Sequence, residues 1–487
     1  MANREEKLAK NTFIFAIGSL GSKLIQIILV PFYTRILTSE QYGTADVLQA
    51  MVSLLIPIAG LAIYESVFRY VMDKDYDKVS VLSVGILVTA VGTAVLCVGG
   101  VALTCFETGI LNVMSRLIGF DVSGLFIWLV IANTAVNALW TVISNYTKAV
   151  GHSVLFMLNN IMMTGLVLIL NIIFLAVLRL GVIGYMLGYT LANLLTTIFL
   201  IVSLKNDFKL RYSGIQRELY KEMLVFAFPL ILNGICWWLS AFTDRMMITA
   251  MLGPTANGLY AAASKIPQLL SVVVTVFFQA WQMSANEEFK SKDIGQFYSQ
   301  IFEQISACIF LIGSVLIIMC RPITSVFLGS EFAQAWRITP ALVLMTVFFS
   351  FCQFLISIYS ANKKTTMAFI TNLVCVVVNI TLNWLLIPVL GTLGAAIATA
   401  TAYLVLWIVR VVDTGKIVRI QYHTARIIIS VAILIIQSVL IFADTDFLVT
   451  YSFCAIGFLI ILIVYRKTLI TLAMFSLRLF AKILCKH

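Results

Sequence analysis

The chain has 487 residues, of which 61% are hydrophobic and 11% charged, whereas soluble proteins carry about 25% charged residues, so a soluble fold is excluded. Lys and Arg outnumber Asp and Glu by 33 to 22, a net charge of +11; the placement of those charges, below, assigns the excess to membrane topology and not to a nucleic-acid partner. Open sheets cannot satisfy their backbone groups in hydrocarbon, and barrel strands would alternate apolar with polar residues. The fold class is therefore an all-α polytopic membrane protein.

Charge-free stretches of about 18 or more residues predict fourteen spans. The charged start MANREEKLAK leads into a first span near Asn11, too long for a signal peptide and without a small-residue cleavage site, so it is expected to be retained. Spans two to six begin near Gly43, Ser80, Val122, Ser153 and Gly181, with Arg179 and Gly181 dividing five from six. Spans seven to ten begin near Met223, Gly258, Phe297 and Ile338. Nothing charged occurs between Lys364 and Arg410, so that segment must fold back, and Pro388 with Gly391 supplies the turn between spans eleven (from Thr365) and twelve. Spans thirteen and fourteen begin near Ile427 and Phe447. In the tail, Arg478, Lys482 and Lys486 stand at i, i+4 and i+8 among apolar residues, a pattern expected to lie along the inner leaflet. The expected organisation is a six-helix lobe over 1–204, a cytoplasmic linker over 205–222, a second six-helix lobe over 223–412, helices thirteen and fourteen over 413–466, and a basic amphipathic tail over 467–487.

With the N-terminus inside, 25 of the 33 Lys and Arg residues fall on cytoplasmic segments, Arg410 among them. Only Arg35, Arg116, Arg179, Arg245, Arg321 and Arg337 lie at outer ends, and Lys23 and Lys265 fall within spans. The bias supports a multi-pass protein with both termini cytoplasmic. The nine cysteines lie singly, mostly inside apolar runs, and read as small buried hydrophobes. Three histidines and no Cys-x-x-Cys spacing leave no metal site to assemble, and no cofactor is expected.

The sequence repeats itself at a displacement of about 210 residues. FYTRILTSEQYG pairs with FTDRMMITAMLGPTANG, matching Arg35 to Arg245; YTKAVGHSVLFMLNN pairs with YSANKKTTMAFITNL, matching Tyr146 to Tyr359 and Asn159 to Asn372. LGVIGYMLGYTLANL pairs with LGTLGAAIATATAYL, matching Gly181 to Gly391 and Gly184 to Gly394. Gly43 with Gly258 needs a shift of 215, whereas Pro57 and Pro267 agree at 210, so the register contains small insertions. Six helices per half make the repeat parallel, and such duplicated halves place a substrate path between them.

Ionisable groups within spans are costly and mark functional candidates. Lys23, with Gln26 beside it, occupies the middle of span one; Lys265, with Gln268 after it, sits two residues before Pro267 in span eight. Both lysines are expected to face the cleft between the halves, with structural pairing to Asp46 or Glu65 as the alternative. Arg35 and Arg245, flanked by Asp46 and Asp244, are equally suited to salt bridges closing the outer side and to ligand contacts. Asp46, Glu65 and Asp244 are candidates for coupling or gating. Asn133, Asn137, Asn159, Asn160, Asn171, Asn372, Asn379 and Asn383 suit helix-to-helix hydrogen bonding, and Gln279, Trp281 and Gln282 suit either a sugar-accommodating cavity or interfacial anchoring.

The charged start, FYTRILTSEQYG, TDRMMITAMLGPTANGLYAAASK and the two six-helix halves resemble, over essentially the whole chain, the polysaccharide-repeat-unit (Wzx-type) flippases. These belong to the multidrug/oligosaccharidyl-lipid/polysaccharide exporter superfamily. The resemblance implies a transporter and not an enzyme, in the bacterial plasma (inner) membrane. The implied cargo is an undecaprenyl-diphosphate-linked oligosaccharide, moved from the cytoplasmic to the outer leaflet for surface polysaccharide assembly. It also implies a cationic central cavity, into which Lys23 and Lys265 fit as diphosphate ligands with Arg35 and Arg245 assisting or gating. Membrane lipids and a polysaccharide polymerase are the implied partners, and coupling to a proton or sodium gradient is implied at family level only. A cation-coupled multidrug antiporter of the same superfamily is the alternative; its cavity would favour carboxylates over mid-span lysines.

Overall fold

A computed structural model describes residues 28–73, 75–105, 123–213, 215–287, 293–362, 365–443 and 447–471, with positions 25, 115 and 474 singly. Among these, every regular element is helical. In chain order they are α1 (28–36), α2 (Ser39–Ala59), α3 (Ile63–Val71), α4 (Lys78–Cys105), α5 (Gly124–Val150), α6 (Ser153–Asn171), α7 (Gly181–Leu204), α8 (Arg217–Leu252), α9 (Pro254–Ser264), α10 (Gln268–Glu287), α11 (Ile294–Ile318) and α12 (Cys320–Phe327). There follow α13 (Thr339–Ala361), α14 (Thr365–Leu390), α15 (Thr392–Thr414), α16 (Thr424–Phe442) and α17 (Phe447–Val464). Ten of the described helices are long and apolar enough to cross a membrane. Further helical stretches stand where spans one, seven, eight and fourteen are expected, so the protein is polytopic and all-α.

Two spans are broken, which hydropathy alone does not reveal. Span two stops at Ala59, turns through Gly60, Leu61 and Ala62, and resumes as α3; Leu61 and Ala62 both carry φ in the left-handed region, 46° and 48°. Span eight is interrupted at Lys265–Pro267, between α9 and α10, because Pro267 has no N–H to continue the α9 ladder. Elsewhere the helix ends follow local chemistry. Thr38 caps α2 in a reciprocal box, its Oγ1 accepting from the Gln41 N–H at 3.2 Å while Gln41 Oε1 accepts from the Thr38 N–H at 3.3 Å. Span five ends in a π-helical turn, Ile172–Val177.

The chain divides into two compact units, Met1–Ala261 and Ala262–His487. In the first, α5 packs on α7 and α4, α6 on α7, and α2 on α5 and α8. In the second, α13 packs on α15 and α14 on α15, and α16 and α17 dock on α11. The pairings of α5, α6 and α7 thus recur for α13, α14 and α15. The matched residues recur with them. Tyr146 and Tyr359 are both buried and both donate to the end of their half's sixth span, to Asp207 O at 2.8 Å and Asp413 Oδ2 at 2.9 Å. The matched turn glycines, Gly181 and Gly391, share φ values of 55° and 60°, where a side chain would be strained.

The second unit contains the larger apolar core, in which Trp281 stacks on Phe354 and donates to Ser357 Oγ at 3.1 Å. Trp281 is therefore a packed core residue, neither a cavity wall nor an interfacial anchor; the side chains of Gln279 and Gln282 lie outside the described residues. Gln437 ties α16 to α11 and α17, donating to Ser314 Oγ and Cys454 O. The tail beyond 474 lies outside the described residues.

Candidate functional site

The densest polar chemistry of the first unit gathers toward the end at which α2, α5 and α7 begin, the expected outer side. Asp46 on α2 and Arg245 on α8, 199 residues apart, form an ion pair with Nη1 to Oδ1 at 2.8 Å. The Asp46 side chain is 10% exposed and that of Arg245 21%. At this burial the pair is screened far less than a surface bridge, and breaking it would strand a charge. The second carboxylate oxygen, Asp46 Oδ2, is buried with no hydrogen-bond donor. One turn along, Trp238 Nε1 donates to Ala50 O at 2.8 Å, so α8 is fastened to α2 at two successive turns.

Next to this pair α2 meets α9. Asn257 Nδ2 donates to Gly43 O at 3.0 Å, and Ser39 Oγ donates to Thr255 O at 2.9 Å. The approach requires two glycines. A Cβ on Gly43 would lie 1.9 Å from Pro254 O, and one on Gly258 would lie 1.9 Å from Ser39 O. Ser39 and Pro254 are themselves 215 apart, like Gly43 and Gly258, so the contact is reciprocal between repeat-equivalent segments. Asp244 is 5% exposed and accepts from Tyr260 on α9 at 2.9 Å.

A tyrosine wall completes the region. Tyr33, Tyr42 and Tyr185 are buried. Tyr33 accepts from Asn171 Nδ2 at 3.0 Å, and its ring meets that of Tyr185 edge-on at 5.1 Å. Tyr189 extends the wall, its ring 5.0 Å from that of Tyr185. Their signal in the sequence was GYMLGY, which puts Tyr185 and Tyr189 one helical turn apart on one face.

The other candidates are placed as follows. Lys23 and Gln26 lie outside the described residues. Arg35 and Gln268 are exposed, and Lys265 is partly buried in the break between α9 and α10. Glu65 is exposed in the first turn of α3. Of the nine candidates, the structure brings together Asp46 with Arg245, with Asp244 the neighbouring residue on α8.

The second unit holds a cation that topology reasoning put in a loop. Arg410, expected on a cytoplasmic segment, is 1% exposed inside the bundle. Its Nε donates to Thr371 Oγ1 at 3.2 Å, Nη1 to Cys352 O at 2.9 Å, and Nη2 to Asn372 Oδ1 at 2.9 Å, joining α13, α14 and α15. Asn159, the repeat counterpart of Asn372, faces its own sixth span in the same way. With its amide suitably oriented it donates to Thr196 O and accepts from Trp140 Nε1. Nearer the chain's end, Glu303 accepts from Arg426 Nη1 and from Thr468 Oγ1. Among the described residues, no group of three or more His, Cys, Asp or Glu could hold a metal ion.

The family model for polysaccharide biosynthesis proteins matches residues 8–282, more than half of the chain. A protein of the Lsg locus of Haemophilus influenzae is 24% identical over 289 residues, 56% of this chain and 65% of its own; the chain thus spans just under two thirds of that relative. Among solved structures, the lipid II flippase MurJ in an inward closed conformation superposes with a TM-score of 0.72 at 15% identity, covering 94% of this chain and 100% of that one. An inward-facing multidrug resistance MATE family transporter of the MOP superfamily gives 0.58 at 15% identity, over 82% and 94%. The Vibrio cholerae MATE transporter VcmN, in its bent form, gives 0.54 at 14%, over 85% and 97%. At these identities the likeness shows the fold, the duplicated bundle that the repeat implies.

Proposed function

The chain belongs to the polysaccharide biosynthesis protein family, and from that premise we propose that it is a flippase carrying an undecaprenyl-diphosphate-linked oligosaccharide repeat unit from the cytoplasmic to the outer leaflet of the bacterial plasma membrane. The observation that carries the reading is the fold. Its two duplicated halves superpose over nearly the whole chain on a protein described as a lipid II flippase, more closely than on either multidrug transporter named above. A diphosphate bearing sugars cannot enter hydrocarbon, so the carrier must offer a polar path while the polyprenyl tail remains in lipid. Lysine ammonium groups suit a cargo that must also be released, being mobile point charges without the fixed fork of arginine.

Lys23 and Lys265 bind the diphosphate in this proposal, with Gln26 and Gln268 beside them. A lysine in the α9–α10 break supports this role, since interrupted spans at membrane depth are where transporters place their ligands. Arg35 assists at the outer side. Arg245 acts first as a gate, because its guanidinium is engaged with Asp46. Asp46, Glu65 and Asp244 are the coupling and gating acids for a proton or sodium gradient. Both termini face the cytoplasm, and a polymerase receives the product.

Replacing Lys23 or Lys265 by Ala should abolish surface polymer while the protein remains inserted in the membrane. The purified protein should bind undecaprenyl-diphosphate sugars and not organic cations. Normal polymer in both variants would remove the lysine assignment, and selective binding of organic cations would favour the multidrug antiporter.

A further inference from the structure

A cavity of about 390 Å³ opens in the first unit where spans one and five end and α2 and α7 begin, the expected outer side. Its walls are Ile36 and Leu37 at the end of span one, Gln41 in the first turn of α2, Leu175 and Ala176 on the π-helical turn, and Arg179 in the turn to α7. That π-helical turn is closed by Leu178 N–H donating to Ile173 O and Leu180 N–H to Phe174 O, both at 2.9 Å. Arg179 then takes a φ of 53°, in the left-handed region that glycine normally fills at a helix end. The repeat shows that the fold does not require this. At the displacement of 210 that pairs Gly181 with Gly391, Arg179 corresponds to Val389, an apolar residue 77% exposed on α14 and outside the left-handed region. Both halves need the turn glycine; only the first spends backbone strain on placing a cation beside it.

The chemistry of the cavity is that of donors beside an apolar wall. Arg179 is exposed, and no carboxylate lines the cavity; Glu40 precedes Gln41 in the chain but is not among the walls. Gln41 commits its Oε1 to the Thr38 N–H, and its Nε2 lies against the turn, where a Cβ on Gly181 would meet it at 3.1 Å. The backbone of the turn adds to these: α7 begins without a side-chain cap, and its ladder starts only with Gly184 N–H donating to Leu180 O at 3.4 Å. A guanidinium, a side-chain amide and backbone N–H groups, with no acid among them, select an anion, and a phosphate suits the guanidinium fork best. The remaining walls, Ile36, Leu37, Leu175 and Ala176, are apolar, and Ile172, Ile173, Val177 and Leu178 around them are exposed at the end of a span, where lipid covers them. The ligand must therefore join a phosphate to hydrocarbon.

We infer that this cavity binds one anionic phospholipid of the outer leaflet, its phosphate on Arg179 and Gln41 and an acyl chain along Ile36, Leu175 and Ala176. The lipid is a resident of the protein's own membrane and not its cargo, so the inference goes beyond the flippase reading and does not depend on it. Bound there, the lipid ties the end of span one and the start of α2 to the turn that opens α7. It fastens α2 five residues before Asp46, at the end of the unit that carries the Asp46–Arg245 pair.

The test uses the full chain, purified and delipidated in detergent, with bound lipids counted by native mass spectrometry and thermal unfolding followed as lipid is added. The probes are phosphatidylglycerol, phosphatidylcholine, undecaprenyl diphosphate and inorganic phosphate. The wild type should hold one more phosphatidylglycerol than Arg179→Asn, and its unfolding temperature should rise further with that lipid than with phosphatidylcholine. Asparagine enters the left-handed region readily and carries no charge. Arg179→Asn should therefore unfold no lower than the wild type without lipid, while losing that extra response to phosphatidylglycerol; a merely structural role for Arg179 would lower the lipid-free value instead. Ala176→Trp fills the cavity with Arg179 intact and should lose the same single lipid, whereas Arg337→Gln, at an exposed outer-end arginine of the second unit, should keep it. Equal phosphatidylglycerol counts in the wild type and Arg179→Asn, or a full count in Ala176→Trp, overturn the site. Inorganic phosphate matching phosphatidylglycerol makes it a free-anion site and overturns the lipid. Phosphatidylcholine binding as well as phosphatidylglycerol overturns the part played by charge, and uptake of undecaprenyl diphosphate in place of phosphatidylglycerol overturns the assignment to a resident lipid.

Discussion

Gly43→Ala is the sharpest structural perturbation available. The added methyl would lie 1.9 Å from Pro254 O and 2.6 Å from the Gly258 nitrogen, both backbone atoms that cannot rotate away. A close carbon–oxygen contact needs roughly 3.3 Å, so α2 and α9 must part by about 1.4 Å. That carries the 3.0 Å bond from Asn257 to Gly43 O and the 2.9 Å bond from Ser39 to Thr255 O out of hydrogen-bond range. Interhelical hydrogen bonds in membranes contribute about 0.6–1.7 kcal/mol each, and overpacking costs about 1–3 kcal/mol. The expected loss is therefore about 2–6 kcal/mol in an SDS unfolding titration from mild detergent. Gly258→Ala should match it, since its methyl meets Ser39 O at the same 1.9 Å. Gly99→Ala and Gly165→Ala serve as controls: their methyls meet nothing within 4 Å, and each should gain about 0.5–1 kcal/mol from helix propensity. Equal stability of Gly43→Ala and Gly99→Ala would refute the close crossing and the reciprocal contact with it.

Arg410→Lys should be nearly as damaging as Arg410→Ala, because an ammonium cannot span Thr371, Asn372 and the Cys352 carbonyl together. The unmet acceptors cost about 1–3 kcal/mol each, read in the same titration, and wild-type stability in Arg410→Lys would contradict the clamp. Asp77 caps the start of α4. Its partial burial opposes ionisation but is outweighed by hydrogen bonds from Ser80 Oγ and the Val79 and Ser80 amides and by Arg211, holding its carboxyl below the ordinary value of 3.8. A depressed carboxyl stabilises the fold above its unfolded pKa and loses that contribution as pH falls through the folded one. Asp77→Ala should thus cost about 1 kcal/mol at pH 7, with a difference from wild type that vanishes in acid below the ordinary aspartate range. A difference independent of pH would deny the charge any part in it.

How much could be read from the chain depended on the range of the interaction involved. Span positions followed from length and charge. From span two onward each helix starts within four residues of its expected position except α8, which begins at Arg217, six residues before Met223. The break in span two was invisible because it rests on left-handed φ at Leu61 and Ala62, residue types that signal nothing of the kind. Arg410 reads as a loop residue because a span-end cation normally reaches water; its acceptors lie 38 to 58 residues away in sequence. Asp46 and Arg245 each stand out in the sequence as charges at span ends, yet their pairing across 199 residues is set by the fold. Asn133 reads as helix glue in the sequence, because composition identifies a polar side chain without saying whether a partner awaits it; in the fold neither its amide oxygen nor its nitrogen meets one.

The two displacements in the repeat have a physical consequence. Gly43 and Gly258 correspond at 215, and their reciprocal contact fixes that register at the crossing. Pro57 and Pro267 correspond at 210, so five residues are lost between the crossing and the proline in the second half. The first half runs a 21-residue helix from Ser39 before its break, whereas the second runs 11 residues from Pro254; the lost residues supply half of that difference, and the break falling after Pro57 but before Pro267 supplies the rest. The same shift separates the charges. Counted at 215, Asp46 corresponds to Ala261; counted at 210, Lys265 corresponds to Leu55. At those registers Asp46 has no acidic counterpart in the second half, and Lys265 no basic counterpart in the first.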